Sequence, residues 1–288
     1  MTSQPLRSHR RATLATLAPA GIAALAILLL PALLSGAAVA HAVAASNVQF
    51  GNGRGHGGGG GTGSCGTGIV TQTSSSNWGG YAAETCLSSP ATNVVSDVKG
   101  SWTQPSVQCG PSASYSAFWV GIDGYSSSTV EQTGTDSDCA SGAPSYYAWY
   151  EFYPAYPVNL PTTQYPVVPG DVITAEVQWI SGSTFQVSLA DLTHPWTFST
   201  TGSVSNAQRS SAEWIAEAPS SGHVLPLADF GTVDFTACTA TIGGTTGAIQ
   251  DASWAAAEIT MSGKNYVKAA PSSLSGAGED FSVTWHHS

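Results

Sequence analysis

The sequence predicts an all-β domain, either an antiparallel sandwich or a barrel. From Thr73 onward, short runs rich in Val, Ile, Thr and aromatic residues are separated by Gly, Pro, Ser or Asp about every ten residues. This rhythm is typical of antiparallel all-β folds. Charged residues make up 9% of the 288 residues and hydrophobic residues 42%, a composition that excludes a coiled coil or a disordered chain.

The first 45 residues are expected to be a signal peptide. Arg7, Arg10 and Arg11 precede an apolar stretch at 14–34, and small residues follow up to Ala45. A retained membrane anchor is the alternative, because this stretch is close to the roughly 20 residues that span a bilayer. The small residues at its end favour cleavage, so we expect a secreted, extracellular protein with no stable membrane association.

Residues 46–72 are expected to be a glycine-rich linker or a propeptide. Eleven of the eighteen residues at 51–68 are glycine. Such a segment has little apolar surface to bury, and its backbone entropy resists ordering. The remaining residues, 73–288, are assigned to a single domain.

Two segments show the alternation of a strand. The first, at 147–153, places on one face Tyr147, Trp149, Glu151 and Tyr153. The second, at 117–123, separates an apolar set, which we interpret as core, from a set that resembles a site: Phe118, Val120 and Ile122 against Trp119, Gly121 and Asp123. Further strands are predicted at 172–179, 185–189 and 232–237.

The segment 210–219 gives a mixed signal. Its capping-box spacing, its good helix formers and the final Pro219 favour a short helix. In either a helix or a strand Glu213 and Glu217 share a face, since a separation of four is even for a strand and about one turn for a helix. Two carboxylates are therefore expected to meet the same surroundings.

Charge and cysteine usage exclude several partners. The chain has 18 acidic but only eight basic side chains, and the basic ones are scattered, which disfavours a nucleic-acid partner. The five cysteines show no C-x-x-C spacing, so we expect disulfides rather than a metal site, and no cofactor. An odd count leaves one cysteine over, and Cys65, in the glycine-rich segment, is the candidate.

Common catalytic motifs are missing from the sequence. It has no Gly-x-Ser-x-Gly, no His-Glu-x-x-His, and no Asp-Thr-Gly or Asp-Ser-Gly, which weakens the serine-hydrolase, zinc-peptidase and pepsin-type interpretations. Five of the seven histidines lie in the first 56 residues or at the extreme C-terminus, so no triad can be assembled. Carboxylates and amides beside aromatic residues remain as candidates.

Several ordered motifs resemble one family, the glutamic peptidases, also called eqolisins or G1 peptidases, in a bacterial-type form. They are SSNWGGY at 75–81, GSWTQPSV at 100–107, AFWVGIDG at 117–124, EQTG at 131–134, AWYEFYP at 148–154 and AEWIAE at 212–217. The chain departs from the fungal pattern at Tyr147, which stands where an acidic residue is expected.

The resemblance implies both a fold and a catalytic pair. Family members are antiparallel β-sandwiches of two large bent sheets, concanavalin-like (lectin-like) in outline, with the substrate in the groove of the concave sheet. The segment around Glu217 would then be a strand, because tertiary context commonly overrides local propensity. By position the catalytic residues would be Gln132 and Glu217, in a secreted acid endopeptidase that uses neither a metal nor a covalent intermediate.

The chemistry of this pair is coherent. A glutamate can move protons between the attacking water and the departing amine, while an amide can orient the water and donate to the oxyanion without titrating. The sequence leaves open whether Glu217 starts ionised, as a base, or protonated, as a donor to the substrate carbonyl. Glu213 is the rival carboxylate, and we interpret it as structural or exposed.

The resemblance also implies substrate-binding residues, namely Trp78, Trp119, Asp123, Glu151 and Tyr153. The two tryptophans would line the groove, the two acids would form hydrogen bonds near the catalytic pair, and the tyrosine would form a wall. The alternatives are core packing for the tryptophans and a turn role for the aspartate. We interpret three other tryptophans as packing residues: Trp102, Trp149 and Trp214.

Two other functions fit the same strands. A secreted carbohydrate-binding sandwich would stack sugar rings on exposed aromatic residues. A glycosidase would use two carboxylates, such as Glu151 and Glu217, about 5 to 10 Å apart. The family resemblance favours the peptidase, with polypeptides as substrates, and we expect a monomer.

Overall fold

The computed structural model describes residues 65–288, which form sixteen β-strands and no α-helix. The strands are β1 (Val70–Ser75), β2 (Trp78–Glu84), β3 (Val95–Thr103), β4 (Ala117–Ile122), β5 (Val130–Ala140), β6 (Ala143–Tyr153), β7 (Val158–Asn159), β8 (Val172–Ser181), β9 (Thr184–Asp191), β10 (Trp196–Ser203), β11 (Ser211–Glu217), β12 (Thr232–Ile242), β13 (Thr245–Ala248), β14 (Ala255–Ser262), β15 (Val267–Pro271) and β16 (Phe281–Trp285). Within this part of the chain, no helix is long and apolar enough to cross a membrane. The predicted signal peptide and most of the predicted linker lie outside the described residues.

Fourteen of the strands form one hydrogen-bonded path, in the order β10-β9-β8-β3-β12-β16-β15-β14-β2-β11-β4-β5-β6-β7. All neighbours along this path are antiparallel; β13 adds to β12, and β1 lies parallel beside β14. The path folds over a shared core. The indole of Trp214 on β11 donates to the carbonyl of Lys99 on β3, and Trp102 on β3 donates to Thr135 on β5. The predicted all-β antiparallel sandwich is confirmed.

The alternation predicted for the strands is also confirmed. On β4 the side chains of Phe118, Val120 and Ile122 belong to the main core, whereas Trp119 belongs to a second apolar cluster on the other face of the sheet. On β6 the same division separates Ala148 from Trp149. Each strand therefore contributes one row of side chains to the core and the other row to a second surface.

The segment with the mixed signal is a strand. Residues 211–217 pair with β2 on one side and with β4 on the other, without a break in register. Every residue of this strand is buried, so its backbone groups need the hydrogen bonds of two neighbouring strands. Strand pairing therefore overrides the helical propensity of Ala212, Glu213 and Ala216, as the family resemblance implied.

Two disulfides join residues of the described chain. Cys65 bonds to Cys86 and Cys109 bonds to Cys139, while Cys238 is a free thiol buried in the core. The expectation that Cys65 is the unpaired cysteine is wrong. Spacing alone does not specify disulfide pairing, and the side chain of Cys238 points into an apolar core. Strand β1 begins at Val70, three residues before the domain boundary expected from the composition.

Candidate active site

The candidate site lies on the sheet face opposite the main core. Strands β2, β11, β4, β5 and β6 lie side by side in that order, and their outward rows include a cluster of Trp78, Trp119, Trp149 and Ile215. We call this surface the groove face. Side chains two residues apart on a strand share a face, so Glu217 lies on the side of Ile215.

Gln132 lies on the groove face as well. Trp119 pairs with Ile215 on one side and with Gly134 on the other, and Gly134 is two residues from Gln132. The structure therefore brings the two predicted catalytic residues to one surface, on strands separated only by β4.

Glu217 is fully buried and is held by two donors. Asn77 Nδ2 lies 3.1 Å from its Oε1, and Trp119 Nε1 lies 2.9 Å from its Oε2. Burial raises the pKa of this carboxyl to about 8, although contacts with the side chains of Trp119, Trp78 and Asn77 lower it. In acid the group is therefore protonated.

Gln132 pairs directly with Glu151 across β5 and β6. Its Nε2 donates to Glu151 Oε2 at 2.7 Å, and both residues are only 1% exposed. Gln132 Oε1 is buried and accepts no hydrogen bond from any of residues 65–288. The amide thus retains an acceptor that can orient a water molecule or a substrate N–H group.

Glu151 connects Gln132 to Glu217 electrostatically. Burial raises the pKa of Glu151 to about 9, the hydrogen bond from Gln132 lowers it, and the charge of Glu217 raises it further. A carboxylate affects another in this way only at short range or through a medium that water screens poorly. The two carboxyl groups are therefore close enough for the charge of Glu217 to affect Glu151.

The indole of Trp119 spans the space between the two predicted catalytic residues. Its Nε1 edge donates to Glu217, and its opposite edge lies against Gly121. A Cβ atom on Gly121 would be 3.0 Å from Trp119 Cζ3 and 3.3 Å from Gln132 Cβ. Glycine at this position therefore leaves room for the ring beside Gln132.

Gly134 explains the spacing of the Gln-Thr-Gly motif. A Cβ atom there would lie 2.1 Å from the carbonyl oxygen of Phe118 and 2.7 Å from Trp119 Cβ, distances that no real side chain tolerates. Only glycine lets β4 and β5 approach this closely. The motif thus places Gln132 two residues from the contact that fixes Trp119.

Trp78 and Tyr153 border the site. The Trp78 ring meets that of Trp119 edge to face, with centroids 5.0 Å apart and an interplanar angle of 77°. Tyr153 is partly buried at the end of β6 and packs against the groove-face cluster. Both side chains therefore lie on the groove face. Trp78 is also buried there and packs against its neighbours.

Asp123 lies just beyond β4 and binds backbone groups of the segment before β11. It is fully buried with a φ of 71°, and its carboxylate accepts hydrogen bonds from the backbone N–H groups of Gln208, Arg209 and Ser210 at 2.7 to 2.9 Å. These bonds hold the segment that leads into β11. The structure therefore gives Asp123 a role in positioning the strand of Glu217, rather than hydrogen bonds to Gln132 or Glu217.

Glu213 shares the groove face but not the surroundings of Glu217. Its Oε1 accepts a hydrogen bond from the backbone N–H of Tyr125 at 3.3 Å, and the residue has no exposed surface. Burial raises its pKa well above the ordinary value, and the nearby charges of Asp123 and Glu84 raise it further. Of the two expectations for Glu213, structural or exposed, the structure rules out exposure.

A second acidic group lies near Glu217. The hydroxyl of Tyr147 donates to Asp136 at 2.8 Å and to Asp138 at 2.7 Å, and Trp149 Nε1 lies 2.5 Å from Asp136 Oδ1. Burial raises the pKa of Asp136 well above its ordinary value, and the charge of Glu217 contributes to the shift. Tyr147, which departs from the fungal pattern, is thus the donor that holds two buried acids.

The sequence interpretation missed three side chains around this site. Asn77 lies within a recognised motif and immediately before Trp78, but nothing local shows that its amide reaches β11. Asp136 and Asp138 are four and six residues after Gln132, so alternation along β5 places them on its face. This even spacing from Gln132 is the sequence feature that could have identified the two acids. The assignment of Trp149 to packing alone is incomplete, since its indole also binds Asp136.

The sequence is similar to that of known peptidases. Residues 76–285 match the sequence model of the Peptidase A4 family. Aspergillopepsin-2 of Aspergillus niger is 33% identical over 209 residues, which span 64% of this chain and 71% of the relative.

The fold is similar to solved structures of such enzymes. Scytalido-glutamic peptidase, solved with a peptide-based transition state analog, superposes with a TM-score of 0.60 at 27% identity over 73% of this chain and 98% of that one. Aspergilloglutamic peptidase from Aspergillus niger has a TM-score of 0.53 at 32% identity, over 60% and 99% of the two chains.

Proposed function

The chain belongs to the Peptidase A4 family, the glutamic peptidases, and from this premise we propose that Gln132 and Glu217 activate water for peptide-bond hydrolysis. Family membership makes the protein a glutamic-type endopeptidase that acts on polypeptides. The carbohydrate-binding and glycosidase alternatives lose their support accordingly. What the residues of this chain do in the reaction is the subject of the proposal.

One observation carries the assignment. Gln132 is hydrogen-bonded to Glu151, and the pKa of Glu151 responds to the charge of Glu217. Glu213, the rival carboxylate, instead responds to Asp123 and Glu84. These contacts support the choice of Glu217, the residue that the family resemblance implies, over Glu213.

The high pKa of Glu217 favours a protonated starting state. At acid pH its carboxyl hydrogen passes to the carbonyl oxygen of the scissile peptide, and a water oriented by Gln132 Oε1 attacks the carbonyl carbon. The proton lost by that water returns to the Glu217 carboxylate, which leaves a neutral diol intermediate. Gln132 Nε2 stabilises the oxygen of the diol as it forms.

The second half of the reaction uses the same proton carrier. Glu217 gives its proton to the peptide nitrogen as the C–N bond breaks, and a hydroxyl proton of the diol passes to the Glu217 carboxylate. The products are a carboxylic acid and an amine, and Glu217 ends protonated as it began. Trp119 and Asn77 stabilise the carboxylate in each interval when the proton is on the substrate.

Acid digestion of casein or haemoglobin tests the dyad. We expect cleavage near pH 3 to 4, as the family resemblance implies, resistance to pepstatin, and loss of activity in both Gln132→Ala and Glu217→Gln with unchanged unfolding temperatures. Full activity in Glu217→Gln would reject the assignment. Sugar binding without proteolysis would reject the whole proposal in favour of a lectin.

The pH profile tests the starting state separately. If Glu217 must begin protonated, kcat/KM stays level in acid and falls as the pH rises through the pKa of this carboxyl, about 8 in the free protein. A carboxylate that begins as a base would instead give a rate that rises with pH. That second result would show that Glu217 begins the reaction ionised. It would not contradict the assignment of Gln132 and Glu217 as the catalytic pair.

We also propose that the enzyme is secreted and that residues 1–45 are removed. The two disulfides support export to an oxidising compartment, because such bonds are rare in the reducing cytosol. Sequencing the N-terminus of the protein from culture medium tests this, and an intact Met1 or its retention in the membrane fraction would contradict it. The expected monomer remains a prediction, to be checked by light scattering.

A further inference from the structure

Three side chains of the kind that bind metals meet in the half of the sandwich that does not carry Glu217. Asp171 immediately precedes β8, Asp191 is the last residue of β9, and His194 lies in the turn to β10. One possible ligand atom from each lies within 4.8 Å of the other two. The aspartates are 1% and 2% exposed, while the side chain of His194 is 60% exposed.

Most of the oxygen atoms in this group have partners. Asp171 Oδ2 accepts from the backbone N–H of Val168 at 2.7 Å, and Asp171 Oδ1 lies 2.7 Å from His194 Nδ1. Asp191 Oδ1 accepts from the backbone N–H groups of Thr193 and His194 at 2.7 and 3.0 Å. These bonds fix the carboxyl groups and the turn around a common centre.

One oxygen atom is left over. Oδ2 of Asp191 is buried and has no hydrogen-bond donor among residues 65–288, and its carboxyl group lies against that of Asp171. Within the described chain, no Lys or Arg side chain lies within 4.0 Å of either aspartate. A buried acceptor that has no donor and lies against a second carboxyl group is unfavourable unless a proton or a cation lies between them.

We propose that Asp171, Asp191 and His194 form a structural site for a divalent transition-metal ion, with Zn²⁺ as the best fit. Two carboxylate oxygens and one imidazole nitrogen are a donor set that Zn²⁺ accepts, with water completing four-coordination. Calcium and magnesium prefer oxygen ligands alone, and the imidazole therefore argues against them. The ion would neutralise the two carboxylates and give Asp191 Oδ2 a partner.

The site would tie together turns from three parts of the sheet. Asp171 ends the turn before β8, and its carbonyl accepts from Gln104 just beyond β3. Asp191 and His194 hold the β9–β10 turn. A bound ion would therefore cross-link the ends of β3, β8 and β9, and its effect is expected on stability rather than on catalysis.

The test uses the full secreted protein, stripped with EDTA and dialysed at pH 7. Isothermal titration with ZnCl₂ should show one ion per chain. The unfolding temperature should rise by about 5 to 10 °C at a zinc concentration 100-fold above Kd. CaCl₂ serves as the comparison and should produce a smaller shift or none.

Variants locate the ion. Asp191→Asn and His194→Ala should each lose the zinc-dependent rise, whereas the matched control His223→Ala, which alters another exposed histidine, should retain it. Since His194 is exposed, its replacement is expected to fold even if the buried Asp191→Asn does not. The proposal would be overturned if zinc did not change the unfolding temperature of the wild-type protein. It would also be overturned if the His194→Ala protein bound zinc as well as wild type does.

Discussion

Glu213 and Glu217 lie four residues apart on one strand, on one face and without exposed surface, yet they meet different surroundings. The backbone of Tyr125 covers Glu213, and its charged neighbours are Asp123 and Glu84. Glu217 receives donors from Asn77 and Trp119 and affects the acid that holds Gln132. Burial alone therefore does not distinguish these two carboxyl groups; the donors and charges beside each of them do.

The sharpest test of this comparison replaces each glutamate by its isosteric amide. Glu217→Gln removes the proton carrier and should lower kcat/KM by at least about 10³-fold, within the range for general acid–base catalysis. Glu213→Gln should stay within about threefold of the parent, since its charged neighbours are Asp123 and Glu84 rather than Glu151. Initial rates on a quenched peptide at pH 4 measure both. Equal losses would remove the distinction between the two glutamates.

The next largest effect should come from Trp119→Phe. Phenylalanine keeps a ring beside Gly121 but removes the N–H donor to Glu217 Oε2, so kcat/KM should fall by about 10 to 100-fold and the pKa of Glu217 should rise. The pH at which kcat/KM begins to fall would then be higher than in the parent protein. Trp214→Phe on the opposite face is the control, expected to lower stability without moving the pH profile.

A third prediction concerns stability against pH. The pKa of Glu84 is raised to about 8, that of Glu151 to about 9 and that of Glu217 to about 8, because burial favours the neutral acid. The folded protein thus binds more protons than the unfolded chain between roughly pH 4.5 and 9, and stability is lost as the pH rises through this window. We expect the unfolding temperature to fall by about 10 °C or more from pH 4 to pH 8.

The same measurement tests the buried Glu213. Glu213→Gln keeps a neutral side chain at every pH, so its unfolding temperature should match wild type at pH 4 and exceed it at pH 8. A wild-type protein that becomes more stable between pH 4 and pH 8 would show that these carboxyl groups are ionised when buried. Scanning calorimetry at both pH values provides the comparison.

The smallest effect is expected from Tyr147→Phe. Loss of the hydroxyl removes the single O–H group that Asp136 and Asp138 share, so the unfolding temperature should fall by about 3 to 6 °C and the pKa of each acid should rise. Activity at pH 4, where both acids are protonated, should change by less than about threefold. Tyr150→Phe, on the other face of β6, should leave the titration of Asp136 and Asp138 unchanged.

Alternation made part of this site predictable. The even spacing between Glu213 and Glu217, and that between Glu151 and Tyr153, already assigned each pair to one face, since a strand has a period of two. The family resemblance added Gln132 and the strand around Glu217. Helix propensity alone would have predicted a helix at Glu217, because propensity takes no account of the pairing of β11 with β2 and β4.

The remaining contacts depend on which strands become neighbours. Asn77 reaches Glu217 because β2 pairs with β11, 140 residues later in the chain, and no local pattern gives that register. The same holds for the bond between Cys65 and Cys86 and for the meeting of Asp191 with Asp171. The partners of Asp123 could not be predicted either, because a motif shows its position in the chain but not the backbone groups that its carboxylate binds.

The bond between Cys65 and Cys86 has a consequence for self-digestion. It closes a loop that contains both Asn77 and Trp78, two of the residues around Glu217. A peptidase at high concentration cuts its own exposed segments, and a nick anywhere between the two half-cystines would leave both fragments covalently attached. Such a nicked molecule would run as two bands only after reduction.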